Sequence, residues 1–139
     1  MLGPPTLAAR FPPWWGDRAF SLPQSAHIMD VAYDTAYRWV QLLQAAGLCF
    51  GQKRGRDLMF DAHELYALRI LTSFHRAGIP IGPTQIRAVA QFAFDPNGTP
   101  RIPEGKLIQA APESEFSVDA VKIYNAVIEA TRPEDAHAN

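Results

Sequence analysis

The segment from Ser21 to Asp61 constrains the fold more than any other part of the chain, because it joins two short helical patterns to a basic turn. Ser21 and Gln24 have the spacing of a capping box, which predicts the start of a first helix. The helical pattern breaks at residues 30–33. Asp34 then offers a carboxylate that we predict to be the N-cap of a second helix.

The second predicted helix has one apolar and one polar stripe. The apolar stripe has the i, i+3, i+4, i+7 spacing of a buried face and consists of Ala36, Trp39, Val40 and Leu43. Gly47 suits the left-handed position that follows a helix end. The opposite stripe contains no glutamate and consists of Asp34, Thr35, Tyr37, Arg38, Gln41 and Gln44. Arg can bind guanine and Gln adenine with paired hydrogen bonds, whereas Tyr and Thr suit the backbone. A merely solvated face more often carries Glu and Lys, so we favour DNA contact.

A run of cations follows this helix. Residues 51–57, here called the basic tip, are predicted to form a turn between two apolar strands, Leu48–Phe50 and Leu58–Phe60. The side chains predicted to contact phosphates or a minor groove are Gln52, Lys53, Arg54 and Arg56, with weaker help from Arg18. Two helices joined by a short turn, followed by such a hairpin, predict a mainly α winged helix-turn-helix fold.

The charge of the chain is unevenly distributed. The formal net charge is −1, which by itself argues weakly against a nucleic-acid-binding protein. Residues 1–60 nevertheless carry six Lys and Arg against four Asp and Glu, whereas residues 96–139 carry four against seven. Any binding charge is therefore expected to be local to the basic tip.

Downstream of the tip, further helices are predicted. Asp61 and Glu64 repeat the capping-box spacing at the start of a long apolar-faced helix, and a fourth helix is expected over residues 84–94. Prolines and glycines then indicate a linker, with a brief strand at 106–110, and Ser117 is predicted to cap a last helix. The expected organisation is an N-terminal arm (1–19), a winged-helix domain (20–94), a linker (95–115), a C-terminal helix (116–132) and a tail (133–139).

Two tryptophans and the single cysteine are predicted to be buried. Trp14 and Trp15 carry large apolar areas, so we expect them to fold back on the core, although a docking site for a partner protein is the alternative. The single cysteine, Cys49, excludes an internal disulfide, and its apolar neighbours predict a small buried residue.

Several other classes of protein are not indicated by the sequence. The four histidines are scattered, and there is no zinc-protease pair, phosphate-binding glycine loop or nucleophile elbow, so we expect neither an enzyme nor a metal or other cofactor. No stretch approaches the roughly 20 apolar residues of a membrane span, and the first residues lack a secretory pattern. We expect a cytoplasmic protein with no membrane partner.

Residues 20–93 resemble the winged helix-turn-helix domain of MerR-type regulators and the related excisionases. The similarity is carried by an aromatic-Ser-Leu opening, by the Gly47-Leu48 pair, by Phe60-Asp61 after the tip, and by Arg76–Ile79 (Arg-Ala-Gly-Ile) at a helix end. One departure is the length from Thr35 to Gly47, about one turn longer than usual, which is more similar to the recognition helix of GntR- or MarR-like proteins. The resemblance implies DNA binding and no particular effector.

These observations predict a sequence-specific double-stranded DNA-binding protein, a bacterial or phage transcription regulator. The alternatives are a protein-interaction adaptor on the same scaffold and an excisionase-like architectural factor. The last helix either packs on the domain or pairs with a second copy, and we favour a homodimer because one module reads only a short half-site.

Overall fold

The computed structural model describes residues 11–102, 107–111 and 116–133, and the parts of the predicted arm, linker and tail beyond these ranges lie outside the described residues. The described chain is mainly α-helical, as predicted, with two small antiparallel sheets. In chain order the elements are β1 (Phe20–Ser21), α1 (Leu22–Met29), α2 (Tyr33–Ala45), β2 (Gln52–Arg54), β3 (Asp57–Phe60), α3 (Ala62–Arg76), α4 (Pro83–Ala93), β4 (Leu107–Gln109), β5 (Ser117–Asp119) and α5 (Ala120–Thr131). None of the helices in these ranges is long and apolar enough to cross a membrane.

The junction between α1 and α2 differs from the prediction. The Ser21–Gln24 capping box is present, and α1 ends at Asp30, whose φ of 58° is left-handed. Because this turn closes α1 so tightly, the chain re-enters helical geometry at Tyr33 with Ala32 as N-cap, and no side chain caps α2. The prediction that Asp34 is the N-cap is therefore wrong, since Asp34 lies in the first turn. Its carboxylate there still complements the helix dipole.

The basic tip belongs to a three-stranded sheet with the order β1-β3-β2. The register pairs Lys53 with Leu58 and Arg54 with Asp57, so the turn is tighter than predicted. The first strand of the hairpin begins at Gln52. Leu48–Phe50 is not a strand, because the Phe50 N–H closes a tight turn onto the Leu48 carbonyl at 2.9 Å, and Gly51 follows with a φ of 81°. The short strand β1, which pairs Phe20 with Phe60, was not predicted.

Helix α3 is the centre of the molecule. The predicted Asp61–Glu64 capping box starts it, and its face is buried over nearly its whole length. Helices α1, α4 and α5 all pack against it. Helix α4 begins at Pro83, one residue before the prediction, and buries Ile86, Val89 and Ala93.

The C-terminal elements belong to the same core as the rest. Strand β4, in the predicted linker region, pairs with β5, which replaces the start of the predicted C-terminal helix. Ser117 is therefore a strand residue, and Asp119 caps α5 through the Val121 and Lys122 amides. The prediction of Ser117 as the cap is wrong. The apolar side of α5 lies against α3 and buries Ile123 and Val127. Of the two arrangements considered for this helix, the structure has the one in which it packs on the domain.

The tryptophan pair folds back on the domain, as expected. Trp15 is buried, and its indole Nε1–H donates to Nδ1 of His63 at 3.0 Å. Trp14 is half-buried and donates to the Thr131 hydroxyl at the end of α5. Both rings therefore seal the domain internally, and neither forms the exposed docking site that was the alternative.

Candidate nucleic-acid interface

The inner side of α2 is fully used by the core. The four residues of the predicted apolar stripe, Ala36, Trp39, Val40 and Leu43, are all buried, which confirms the predicted amphipathic pattern. The burial of this stripe turns the polar stripe outward. Five of its six members are exposed: Asp34, Tyr37, Arg38, Gln41 and Gln44.

Two members of the polar stripe are tied to neighbouring segments. The Nη2 of Arg38 donates to the Ile81 carbonyl oxygen at 3.2 Å, so the guanidinium rests against the turn before α4 with its other N–H groups still available. The Nε2 of Gln44 donates to the Phe50 carbonyl oxygen at 2.9 Å. Gln44 is exposed, but this bond makes it a link between the end of α2 and the chain entering the basic tip. Thr35 is only half-exposed.

One exposed aromatic side chain of α2 was not predicted as a site residue. Tyr33 is 49% exposed and Tyr37 44%, and their rings stack with centroids 6.2 Å apart and an angle of 14° between planes. The pair presents an exposed aromatic surface at the first turns of the helix. The i, i+4 spacing was visible in the sequence. It was overlooked because placing the N-cap at Asp34 left Tyr33 in the turn.

All four predicted side chains of the basic tip are exposed. Gln52, Lys53 and Arg54 lie on β2, and Arg56 lies in the turn after Gly55. Asp57 stands opposite Arg54 in the ladder and moderates the positive charge on that face. The tip therefore presents three cations and one anion on a short hairpin, the arrangement expected of a phosphate-binding element.

The base of the tip is fastened to a buried carboxylate. Glu64 is 3% exposed; its Oε2 accepts the Gly51 N–H at 2.6 Å, and its Oε1 accepts the Asp61 N–H at 2.9 Å. The Arg18 guanidinium lies 2.6 Å from Oε1 and also donates to the Met59 carbonyl. One nitrogen of the Arg18 guanidinium, Nη1, thus takes part in this network.

At the foot of the basic tip, Glu64 and Asp61 form a pair of carboxyl groups that are largely removed from solvent. Burial, and secondarily the Asp61 carboxylate, raises the pKa of Glu64 above its usual range, although the N–H donors and Arg18 favour the charged form. Burial likewise raises the pKa of Asp61. Hydrogen-bond donors stabilise a buried carboxylate. Removal of one donor leaves the charge less well satisfied and lowers the stability of the folded protein.

Cys49, beside this base, is exposed, which contradicts the predicted burial. Its neighbours Leu48 and Phe50 pack in or against the core, and the Phe50 N–H donates to the Leu48 carbonyl at 2.9 Å, which forms a tight turn with Cys49 at its centre. Cys49 lines a surface pocket of about 440 Å³ together with Phe94 and the 95–98 turn.

Within the described ranges, no group of three or more His, Cys, Asp or Glu side chains has the arrangement of a metal site. His63 is a buried structural residue: it accepts from Trp15 at Nδ1, and its Nε2 lies 2.6 Å from the Ala93 carbonyl oxygen. An indole only donates and a carbonyl only accepts, so the neutral ring carries its proton on Nε2. Comparison with protein-family models, with curated proteins and with solved structures finds no match to this chain.

Proposed function

We propose that this protein binds double-stranded DNA sequence-specifically, as a bacterial or phage transcription regulator of the winged helix-turn-helix type. In this proposal α2 enters the major groove and the basic tip lies along the flanking backbone. The observation that carries the proposal is a pairing of surfaces. The uncovered polar side of α2 is joined, through the Gln44–Phe50 hydrogen bond, to a hairpin with three exposed cations.

The chemistry of the α2 surface supports base reading. Arg38 keeps free N–H groups in a guanidinium oriented by the Ile81 carbonyl, which lowers the conformational entropy lost on binding. Gln41 is exposed one turn further on, and amide side chains pair well with adenine. The Tyr33–Tyr37 stack provides apolar ring edges for thymine methyl groups and hydroxyls for phosphates.

The sheet order supports the same proposal. A strand before α1 pairs with the second strand of the hairpin, giving the order β1-β3-β2, and this anchors the hairpin beside α1. We infer that this hairpin is the wing and that it meets the same duplex as α2. The net charge of −1 is compatible with it, because the cations are concentrated in the tip.

The test of the proposal is selection of bound fragments from random duplex DNA, followed by affinity measurement at several salt concentrations. We expect one enriched motif and a linear fall of log affinity with log salt. A dimer would enrich an inverted repeat, and a monomer a single short site. Failure of the protein to retain any duplex at low salt would rule the proposal out.

Two single substitutions separate base reading from phosphate contact. We expect Arg38→Ala to lower discrimination at one position of the selected motif by about 5- to 100-fold, the effect of losing a bidentate base contact. Arg54→Ala should weaken all sequences alike and make the salt dependence shallower by about 1. Arg87→Ala, which removes an exposed cation from α4, is the control and should change neither.

The two alternative functions can be told apart from DNA-binding regulation by experiment and by the structure. An architectural excision factor would use the same surface, and a DNA-bending assay on the selected site separates it from a regulator. The tryptophan pair no longer favours a protein-interaction adaptor, because Trp14 and Trp15 contact the protein's own core and α5. The homodimer stays a proposal, although the apolar side of α5 is occupied by α3.

A further inference from the structure

The Glu64 carboxylate makes more contacts than the start of a helix requires. In a capping box, the acid at the third helical position needs only to accept one backbone N–H, which Oε1 does for Asp61. Glu64 also accepts the Gly51 N–H through Oε2 and forms an ion pair with Arg18. These two contacts need an explanation beyond helix capping.

The additional contacts lie at the base of the basic tip. Gly51 immediately precedes β2, Asp61 immediately follows β3, and Arg18 reaches the Met59 carbonyl within β3. One buried carboxylate therefore holds both strands of the hairpin where they leave the domain. Gly51 lies outside the β2–β3 ladder, so Glu64 supplies the acceptor that its N–H would otherwise lack.

The backbone at Gly51 is also closely packed. Its φ of 81° favours glycine, and an added Cβ would lie 2.9 Å from Cε1 of Phe60 and 3.0 Å from Cγ of Leu58. The two strands thus approach each other at this point, and the direction in which the hairpin leaves is determined over a few residues. Lys53, Arg54 and Arg56 follow within five positions.

We propose that Glu64, with Arg18, is the positioning residue of the basic tip, which holds the three tip cations in the orientation needed to contact the phosphates beside α2. The inference rests on the proposed DNA-binding function. Glu64 touches no DNA itself. It acts by fixing the Gly51 amide and the end of β3 relative to α3.

The main test uses Glu64→Gln. Glutamine has one acceptor oxygen, and in the Oε1 position that oxygen keeps two donors, the Asp61 N–H and Arg18. The NH₂ group then faces the Gly51 N–H, which loses its acceptor. We expect weaker DNA binding with a salt slope shallower by about 0.9 to 1.8, equivalent to one or two phosphate contacts. Glu129→Gln, which breaks an exposed ion pair on α5, is the matched control and should leave binding unchanged.

A tip-neutral background distinguishes positioning from a general structural role. In the triple variant Lys53→Ala, Arg54→Ala, Arg56→Ala, the addition of Glu64→Gln should cause no further loss of affinity, because the cations that it positions are gone. An equal loss of affinity in both backgrounds would overturn the proposal. It would show that Glu64 acts on α2 or on folding and not through the tip.

A second measurement does not depend on DNA. Hydrogen exchange of the Gly51 amide should be at least about tenfold faster in Glu64→Gln than in the wild type, since a hydrogen bond to a charged group is lost. Unchanged exchange at Gly51 would overturn the anchoring. If the wild type bound no duplex while the exchange result held, the proposed function would fail and the anchoring would stand.

Arg18→Met is the second variant, for the case that Glu64→Gln does not fold. It removes the ion pair while Glu64 keeps its capping contact. We expect the same direction of change in the salt slope and in the exchange of the tip amides. A normal salt slope together with normal exchange in this variant would contradict the assignment of Arg18 to the anchor.

Discussion

At the scale of single residues, Gly51 and Gly55 occupy the same hairpin and both have positive φ, yet their surroundings differ. Gly51 faces Phe60 and Leu58 at contact distance, whereas nothing lies within 4 Å of a Cβ built on Gly55. Backbone strain is therefore common to both positions, and steric conflict is confined to one. The two glycines form a matched pair for separating these effects.

We expect Gly51→Ala to lower the free energy of unfolding by about 2 to 4 kcal/mol, from strain together with displacement of the packed side chains. Gly55→Ala should cost only about 1 kcal/mol, because strain alone acts there. Urea denaturation of both variants measures the difference. Equal losses of unfolding free energy in the two variants would mean that the side chains of Phe60 and Leu58 move aside without destabilising the fold.

His63 predicts a pH dependence of stability. Burial lowers its pKa from 6.5 to about 4, against the opposing effect of the Ala93 carbonyl, so the folded protein keeps the ring neutral. Below pH 6.5 the unfolded chain binds the proton more readily, so stability falls as the pH falls from 6.5 to about 4 and then levels off. The full effect is about 3 kcal/mol.

The raised pKa values of Asp61 and Glu64 act in the opposite direction, because acid then protonates the folded state more readily. A comparison of the wild type with His63→Gln isolates the histidine. We expect the wild type to lose about 3 kcal/mol more than the variant between pH 7 and pH 4 in denaturant titrations. Parallel pH profiles would contradict the buried neutral imidazole.

At the scale of elements, α2 begins without a side-chain cap, although its first two residues, Tyr33 and Asp34, are exposed. Ala32 has φ −64° and ψ 145°, the extended geometry of an N-cap residue, but offers no oxygen. The free N–H groups of the first turn are therefore open to solvent or to an anion.

Ala32→Ser should stabilise the protein by about 1 kcal/mol, because the hydroxyl can accept an N–H of the first turn. Ser21→Ala, which removes the existing cap of α1, should cost a similar amount and serves as the reciprocal control. Thermal denaturation measures both. No gain from Ala32→Ser would indicate that the first-turn amides are already satisfied.

The helices were predictable from sequence because their periodicity and caps are local. The buried stripe of α2 and the Asp61 capping box are examples, since each depends on residues within two turns. The errors arose where distant chain segments decide the outcome. The pairing of residues 117–119 with 107–109 keeps the chain extended as far as Asp119, so α5 begins two residues later than a cap at Ser117 would place it.

The candidate site was predictable only in part, for the same reason. Polar and basic side chains were identified from composition, but the Arg38–Ile81 contact spans 43 residues and the Arg18–Glu64 contact 46. Nothing in the local pattern indicates such pairs. Tyr33 was missed through a shift of one residue at the start of the helix.

At the scale of the whole molecule, a single hydrophobic cluster runs from Trp15 to Val127. It includes Ile108 and Ala110 around β4, so the region predicted as a linker contributes to the core through its described part. The C-terminal helix is consequently part of the folding unit and not an appendage to it.

Val127→Ala should lower the free energy of unfolding by about 2 kcal/mol, because a 2% exposed side chain leaves a void between α5 and α3. Lys122→Ala, exposed on the same helix, should be nearly neutral. If α5 serves only the core of one molecule, the melting temperature of both should be independent of protein concentration. A concentration-dependent melting temperature would instead indicate that folding is coupled to dimerisation.

The outward thiol of Cys49 has a practical consequence. The chain contains one cysteine, and it is accessible beside the segment that leads from α2 to the hairpin. A maleimide dye would therefore attach to the unaltered protein at one known position. Its anisotropy and emission would report directly on whatever approaches that side of the molecule, without the introduction or removal of any residue.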